Sequence, residues 1–561
     1  MTTPEFAQDY QRPHLAAELT QIQELAQSCS RAESADKFVA IVRDWNKRRS
    51  HVDTMFNIAM VRYAQDTTDA AAKAEQDYWD ESAPLMRELD VLHARTLLDS
   101  PYRDALNNAF GDQLAALKGC MATTFAPEIK DAIAEEAQLA SRYTEIMAKA
   151  ELEFRGQNYS MSGIAVNFID ADRQVRLESQ QARGRFLEKY SEELNGIFDR
   201  LVKARHGMGT ALGHDNFIPL GYQLMSRTSY GPDEVAVFRD TIREQFVPIA
   251  NELFESQRQN LGVDELLFHD EPVIDKRGNP CPTGDLEQIL AEARTMYHDL
   301  GSDFGEFIDV MLDKGLVDVE LRDGKAPGGF CTVFADTGMP FVFTSFNGSE
   351  SDIAVVTHEF GHAFQVYCAR KLELVEYKWP TVEAAEIHSM GMEFLTFPWM
   401  DRFFGDDAER YRRAHLTRIL STRLTYTAAV DHFQHEIYAN PTLTPAERNA
   451  LWLDMERQYQ PHRNYGGLFP HLAKGNFWHR QLHIYQLPFY YIDYALAQIC
   501  ALQFWQKAEE DRDQAMKDYM AICEVGGSRS FTEILEVGNL RSPFDPDVIR
   551  DVATFARNAL G

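Results

Sequence analysis

Two histidines four residues apart, with a glutamate beside the first, constrain this chain more than any other stretch: His358-Glu359-Phe360-Gly361-His362. On a helix, residues four apart stand one above the other on the same face. His358 and His362 therefore aim two imidazole nitrogens at one point. That suits Zn2+, which takes nitrogen ligands at about 2.0–2.1 Å in a tetrahedral site. Glu359 leaves the helix from a neighbouring sector. It does not share the ligand position, but it reaches a water held at the ion, where a carboxylate acts as general base in metal-assisted hydrolysis. The pattern requires a helix here, a third protein ligand from elsewhere and one open position for chemistry.

The next acidic cluster holds Glu383, Glu386, His388 and Glu393, all chemically able to ligate. Ile387, Met390, Phe394 and Leu395 recur among them at helical spacing, so this is a second helix. Lys378-Trp379-Pro380 supplies the turn that runs it back past the first. Glu386, 28 residues after His358, is the preferred third ligand. It sits among small and apolar residues, where an unpaired carboxylate would be costly. Glu383 and Glu393 share much of its face; they either hold the histidines from behind or are plain solvated helix acids, and for Glu383 the two readings weigh equally. A rival cluster, His432, His435 and Glu436, has its histidines three apart and its acid outside the pair, and reads as structural.

Residues 1–150 read as helix after helix, with apolar residues at three-to-four spacing and Gly111 as the first glycine. Residues 150–175 change to a glycine- and serine-punctuated loop with a short hairpin. Helices return from Leu177. Three β-type runs, 316–321, 330–334 and 340–346, end on Asn347-Gly348 and form a small sheet just before the histidine helix. An edge strand there can align a peptide by main-chain hydrogen bonds, with Gly329 and Phe330 as candidate substrate contacts; a tight turn explains the Gly328-Gly329 pair equally well.

Residues 458–500 are dense in aromatics and histidines: His471, Trp478, His479, His483, Tyr485, Tyr490, Tyr491 and Tyr494. Amide hydrolysis builds charge on the carbonyl oxygen, and a phenol or imidazole donor aimed at it is worth a few kcal/mol. Tyr490 and Tyr494 share a helix face. Packing beneath a helix claims at least half of the eight.

Taken together, HEFGHAFQ, AEIHSMGMEFL and HIYQLPFYYIDYALA resemble the thimet oligopeptidase / oligoendopeptidase F family of zinc metallopeptidases, with the oligoendopeptidase F branch the nearer match. The resemblance runs from about residue 150 to the end. It implies one Zn2+ on His358, His362 and Glu386, Glu359 as the base, and His483 with Tyr491 and Tyr494 at the oxyanion and substrate, Tyr490 next. It implies two helical lobes around a deep channel. Gln365 stands where many members carry a third histidine, which is not a ligand in the family pattern.

The expected fold is thus mainly α, with a helical lobe over 1–175 and a catalytic region over 176–561. The latter holds the small sheet (316–346), the zinc helices (351–397) and the His/Tyr segment (458–500). The expected function is a zinc-dependent endopeptidase acting on short unfolded peptides. The alternatives are a metal-dependent carboxypeptidase and a non-catalytic peptide-binding protein. A balance of 56 basic against 86 acidic residues, net −30, argues against nucleic-acid or anionic-membrane partners. Seven scattered cysteines without a CxxC pair read as reduced thiols. With no secretory leader and no apolar run long enough to span a bilayer, the expected location is the cytoplasm. Oligomeric state is not legible.

Overall fold

The computed structural model describes residues 9–560 except 162, 323 and 327. It is mainly helical, with two small sheets. In the N-terminal part, Ala35–Gln65 and Ala70–Leu98 pack together. Ser34 accepts from the Lys37 amide and Asp69 from those of Ala71 and Ala72, so both helices start with orphan donors satisfied. Phe38, Val42, Trp45, Val52, Met55, Ile58 and Val61 recur at three, four or seven residues and are all buried. The first three join Leu97 in a small local core; the others feed the main core.

The segment after 150 forms the expected hairpin, β1 (Leu152–Phe154) against antiparallel β2 (Gln157–Tyr159). Arg155 (φ 50°) and Gly156 (φ 79°) take the left-handed conformations a two-residue hairpin turn needs. A long helix, Arg173–Ala211, follows, capped by Asp172 and burying Leu194, Phe198, Leu201 and Val202.

The second sheet has the order β3 (Val317–Asp318), β5 (Met339–Phe343), β4 (Phe330–Phe334). β5 is central, antiparallel to β4 with Phe330 opposite Phe343, and parallel to β3 with Val317 opposite Val342. β4 is an edge strand. Asn57 from Ala35–Gln65 bonds the Val333 carbonyl and Thr332, covering the C-terminal half of that edge. Gly328 and Gly329, just before the strand, are exposed.

The HEFGH helix, Glu350–Ala369, packs on this sheet. Phe360 and Phe364 hold it against Phe307, with Phe304 stacked on Phe364 at 4.1 Å between centroids. The Glu386 helix, Val382–Leu395, is sandwiched between it and Ile492–Glu510. No described helix is long and apolar enough to cross a membrane.

Candidate metal centre and active site

Gly361, inside the HEFGH motif, sets how closely the two site helices approach. A Cβ there would meet the His388 carbonyl oxygen at 2.7 Å and Ser389 Cα at 2.8 Å. The helices therefore cross backbone against side-chain-free backbone, and Glu386 is carried directly under the two imidazoles. Its Oε2 lies 3.3 Å from His358 Nε2 and 3.5 Å from His362 Nε2. One donor atom from each of the three side chains falls within 4.8 Å of the others, the one such group of potential ligands among the described residues. The imidazole planes stand at 88°. Two imidazole nitrogens and one carboxylate converging from two helices are the kind of donor set a zinc ion takes, so the residues fit the ion that the sequence implies.

Behind the donors the site is held in place. Glu393 Oε1 accepts from His358 Nδ1 at 2.7 Å, which leaves Nε2 as the nitrogen turned to Glu386. The other Glu393 oxygen meets His415 Nε2 at 2.9 Å. Ser389 donates to Glu386 Oε2 at 2.9 Å. Burial works to raise Glu386 and Glu393, but the facing histidines override it and hold both below the ordinary carboxylate range. Glu359 is different: burial raises its carboxyl, and His358 and His362 only partly offset that. A carboxyl with raised affinity for a proton sits beside the donor set.

Across the pocket stand the aromatic residues. The cavity, about 410 Å3, is lined by His358, Glu393, His483, Tyr491 and Tyr494 among others. The His483 ring lies 4.8 Å from that of Tyr491, 5.4 Å from Tyr490 and 5.9 Å from Tyr494. Tyr490 donates towards Glu386 Oε1 at 3.4 Å. The Gln481 amide donates to His483 Nδ1 at 2.8 Å, and Tyr426 fixes that amide by donating to its carbonyl oxygen at 3.0 Å. With Nδ1 accepting, neutral His483 carries its proton on Nε2, a donor facing the pocket. Burial lowers this ring to about 4, with Glu386 acting weakly the other way, so it stays neutral.

Of the eight aromatic and histidine residues singled out, these four line or adjoin the pocket. The other four pack: Tyr485 stacks on Tyr143 at 4.0 Å, and His471, Trp478 and His479 are buried. His388 turns away to the Ile522 carbonyl at 3.2 Å. His435 is tied to Arg239 and Asp431, a structural role as expected. Gln365 donates to the Lys378 carbonyl at 3.4 Å, bracing the connection between the site helices. Gly329 is where an added Cβ would touch Thr344 Oγ1 at 3.1 Å, and Phe330 stacks on Phe343 at 4.8 Å. The expectation for Glu383 needs correcting. It holds neither histidine; it is buried towards Arg227, Tyr230 and Thr381, because the three residues separating it from Glu386 leave it about 60° off that direction, facing the neighbouring layer.

Sequence reasoning did not find Gln481, Tyr426, His415 or Cys331. Cys331, on β4, is close enough to Glu359 that, after burial, the carboxylate is the next influence raising its thiol. Only the position of Gln481, two residues before His483, was a local signal.

A helical fold around this donor set defines a class, and comparison with known families identifies it. The Peptidase M3 N-terminal domain model matches residues 7–125 and the Peptidase family M3 model residues 169–554, so the chain belongs to peptidase family M3. Within that family several of the proteins it is similar to carry the oligoendopeptidase F name. A solved structure provisionally assigned as oligoendopeptidase F is 42% identical, with TM-score 0.95, covering 99% of this chain and 98% of that one. The structure of PZ peptidase A with an inhibitor is 40% identical, with TM-score 0.96 and 99% coverage of both. Oligopeptidase PepF of Bacillus subtilis (strain 168) is 20% identical over 393 residues; the match takes in 67% of this chain but only 55% of that protein's length.

Proposed function

We propose that the protein is a zinc-dependent metalloendopeptidase that hydrolyses internal bonds of short, unfolded peptides in the cytoplasm. The observation that carries this reading is the convergence of His358, His362 and Glu386 beside a buried Glu359, facing a pocket of imidazole and phenol donors. A divalent cation held by those three side chains would supply Lewis acidity, polarising the peptide carbonyl and easing deprotonation of water. Glu359 accepts the proton of the attacking water and delivers it to the leaving nitrogen. His483 Nε2–H and the phenols of Tyr491, Tyr494 and Tyr490 donate to the oxygen on which charge develops. The exposed Gly329 end of β4, with Phe330, aligns the substrate backbone as an added strand. Residues 1–175 and 176–561 form the two lobes that flank the substrate path and keep folded proteins out.

The test is mass spectrometry of a defined peptide mixture after incubation with the protein, with and without a chelator. Internal cleavage that the chelator stops, including peptides blocked at both ends, is the expected result. Release of single C-terminal residues would mean a carboxypeptidase, and binding without cleavage a peptide-binding protein.

A further inference from the structure

Four non-glycine residues among those described take a left-handed backbone: Arg155, Ser226, Phe489 and Asn539. Arg155 belongs to the hairpin turn. Phe489, with φ 67°, carries the bulkiest ring of the four, and a bulky residue adopts this conformation only where its surroundings impose it. It stands between the short helix Leu482–Gln486, which carries His483, and Ile492–Glu510, which carries Tyr494. Tyr490 and Tyr491 follow it directly. The histidine and the three tyrosines at the pocket are thus joined through one strained residue.

Both polar groups of that residue are held, and so is its ring. The Phe489 amide donates to Gln434 Oε1 at 3.0 Å, and its carbonyl accepts from Arg227 Nη2 at 2.5 Å. The ring is fully buried, 4.8 Å from that of His435 and 5.4 Å from that of Tyr438. A Cβ on Gly221 would come within 2.5 Å of it, so the helix Ile218–Leu224 reaches the ring through a glycine. Arg227 is itself aimed. Ser226, left-handed at φ 55°, follows the end of that helix and precedes Arg227, whose side chain is wholly buried. Its Nη2 also donates to Asp493 Oδ1 at 2.7 Å, so one nitrogen ties the Phe489 turn to the first turn of the helix bearing Tyr494. Gln434 comes from Leu424–Ala439, the helix after the π-helical turn Ile419–Arg423, whose Arg423 reaches the pocket wall. Neither Arg227 nor Gln434 lines the pocket.

A relaxed turn would join the two helices equally well, but it would not fix where the rings arrive. Backbone outliers held by buried hydrogen bonds persist where they place reacting groups. Here the result is a close set: the Tyr490 and Tyr494 rings stand 5.4 Å apart, Tyr491 and Tyr494 5.5 Å, and the Tyr490 hydroxyl points towards Glu386 Oε1 at 3.4 Å. We propose that Arg227 and Gln434 are positioning residues for the hydrolytic reaction: by locking Phe489 left-handed, they set where the phenols of Tyr490, Tyr491 and Tyr494 stand relative to His483 and Glu386. The proposal rests on the peptidase reading above and adds to it two residues that act through the tyrosines.

The test uses the zinc-loaded full-length protein. Gln434→Met removes the acceptor at similar side-chain length, and Gln434→Glu keeps an acceptor in either protonation state. Arg227→Met and Arg227→Lys make the same comparison for the donor. Rates are read per zinc-loaded chain, so a misfolded fraction drops out. Both Met variants should lose about 10- to 100-fold in kcat with KM within about twofold, the order of a small misplacement of reacting groups. Gln434→Glu and Arg227→Lys should recover most of that loss. A phosphinic peptide of the substrate's sequence, a mimic of the tetrahedral transition state, should bind Gln434→Met more weakly by the factor lost in kcat/KM. If Arg227→Met, which strands buried Asp493, does not fold, the Gln434 pair decides. A Gln434→Met enzyme with wild-type kcat, or Gln434→Glu as impaired as Gln434→Met, would overturn the proposal and leave the peptidase reading intact. A wild type that cuts no peptide would overturn both.

Discussion

His483 shows how much a single side chain owes to neighbours that its sequence context does not name. Its proposed role as donor depends on Gln481 holding Nδ1, and Gln481 depends on Tyr426, 55 positions earlier. His483→Ala should therefore lower kcat by about 100-fold with little change in KM, the loss of one oxyanion donor. His483→Gln should recover part of it. Because burial holds the ring near 4, the neutral donor persists through the range in which an ordinary histidine titrates. The pH–rate profiles of wild type and His483→Gln should then share their shape above about pH 5. A limb near 6.5, present in the wild type and absent in the variant, would refute this tautomer. At this scale the convergence of His358, His362 and Glu386 was legible, and so was Glu393 behind them; the remaining supports were not. His358 and His362 are tied by helical period, and Glu386 stood out as an acid among apolar neighbours. His415, Gln481 and Arg423 reach the site through tertiary contacts that leave no local pattern. Glu383 was misplaced for the same reason: which layer a buried acid faces is decided by what packs there.

Between elements, the decisive contact is Gly361 against the Glu386 helix. Gly361→Ala should destabilise the fold by about 1–3 kcal/mol, because backbone rather than a flexible side chain must give way. It should also weaken zinc binding, since the separation moves Glu386 from the imidazoles. Denaturant unfolding and a competitive chelator titration measure the two effects; a variant with unchanged midpoint and zinc affinity would contradict this account of the crossing. Helices and the hairpin were readable because their signals are local. The sheet was readable as three runs but not in its pairing. β3 joins β5 in parallel, and beyond the regular strand Thr344 and Phe346 still donate to the Asp318 and Val319 carbonyls at 2.9 Å. Parallel pairing depends on a connection of many residues, whose path no short motif encodes. The π turn before Leu424 was equally invisible, since it adds a residue without changing composition.

Across the whole molecule, the N-terminal helices grip the connection between the two site helices. Asn46 bonds the Glu373 carbonyl at 2.7 Å and the Val375 amide at 3.1 Å. Glu376 pairs with Arg49 at 2.5 Å and with Lys118, both from that layer. Burial alone would raise the Glu376 carboxyl, but Arg49 and Lys118 hold it well below the ordinary value of 4.5. A carboxyl depressed on folding stabilises the protein above its unfolded value, and that contribution is lost as pH falls through and below 4.5. In metal-free protein, Glu376→Ala should cost about 3–5 kcal/mol near neutral pH by stranding the buried Lys118 and leaving Arg49 only the more distant Asp90, at 3.7 Å. The gap between wild type and Glu376→Gln should narrow as the pH drops below that value, as chemical denaturation will show; a gap that widens would reverse the sign argued here. This clamp ties the connection between the two site helices to the N-terminal helices.

The most direct test of the central claim is the zinc content per chain, by elemental mass spectrometry after dialysis, of wild type, Glu386→Ala and Glu359→Gln, each then assayed on one peptide. The account predicts one zinc in the wild type, its loss from Glu386→Ala, and full zinc with no cleavage in Glu359→Gln. Stoichiometric zinc retained by Glu386→Ala, or wild-type cleavage by Glu359→Gln, would contradict it.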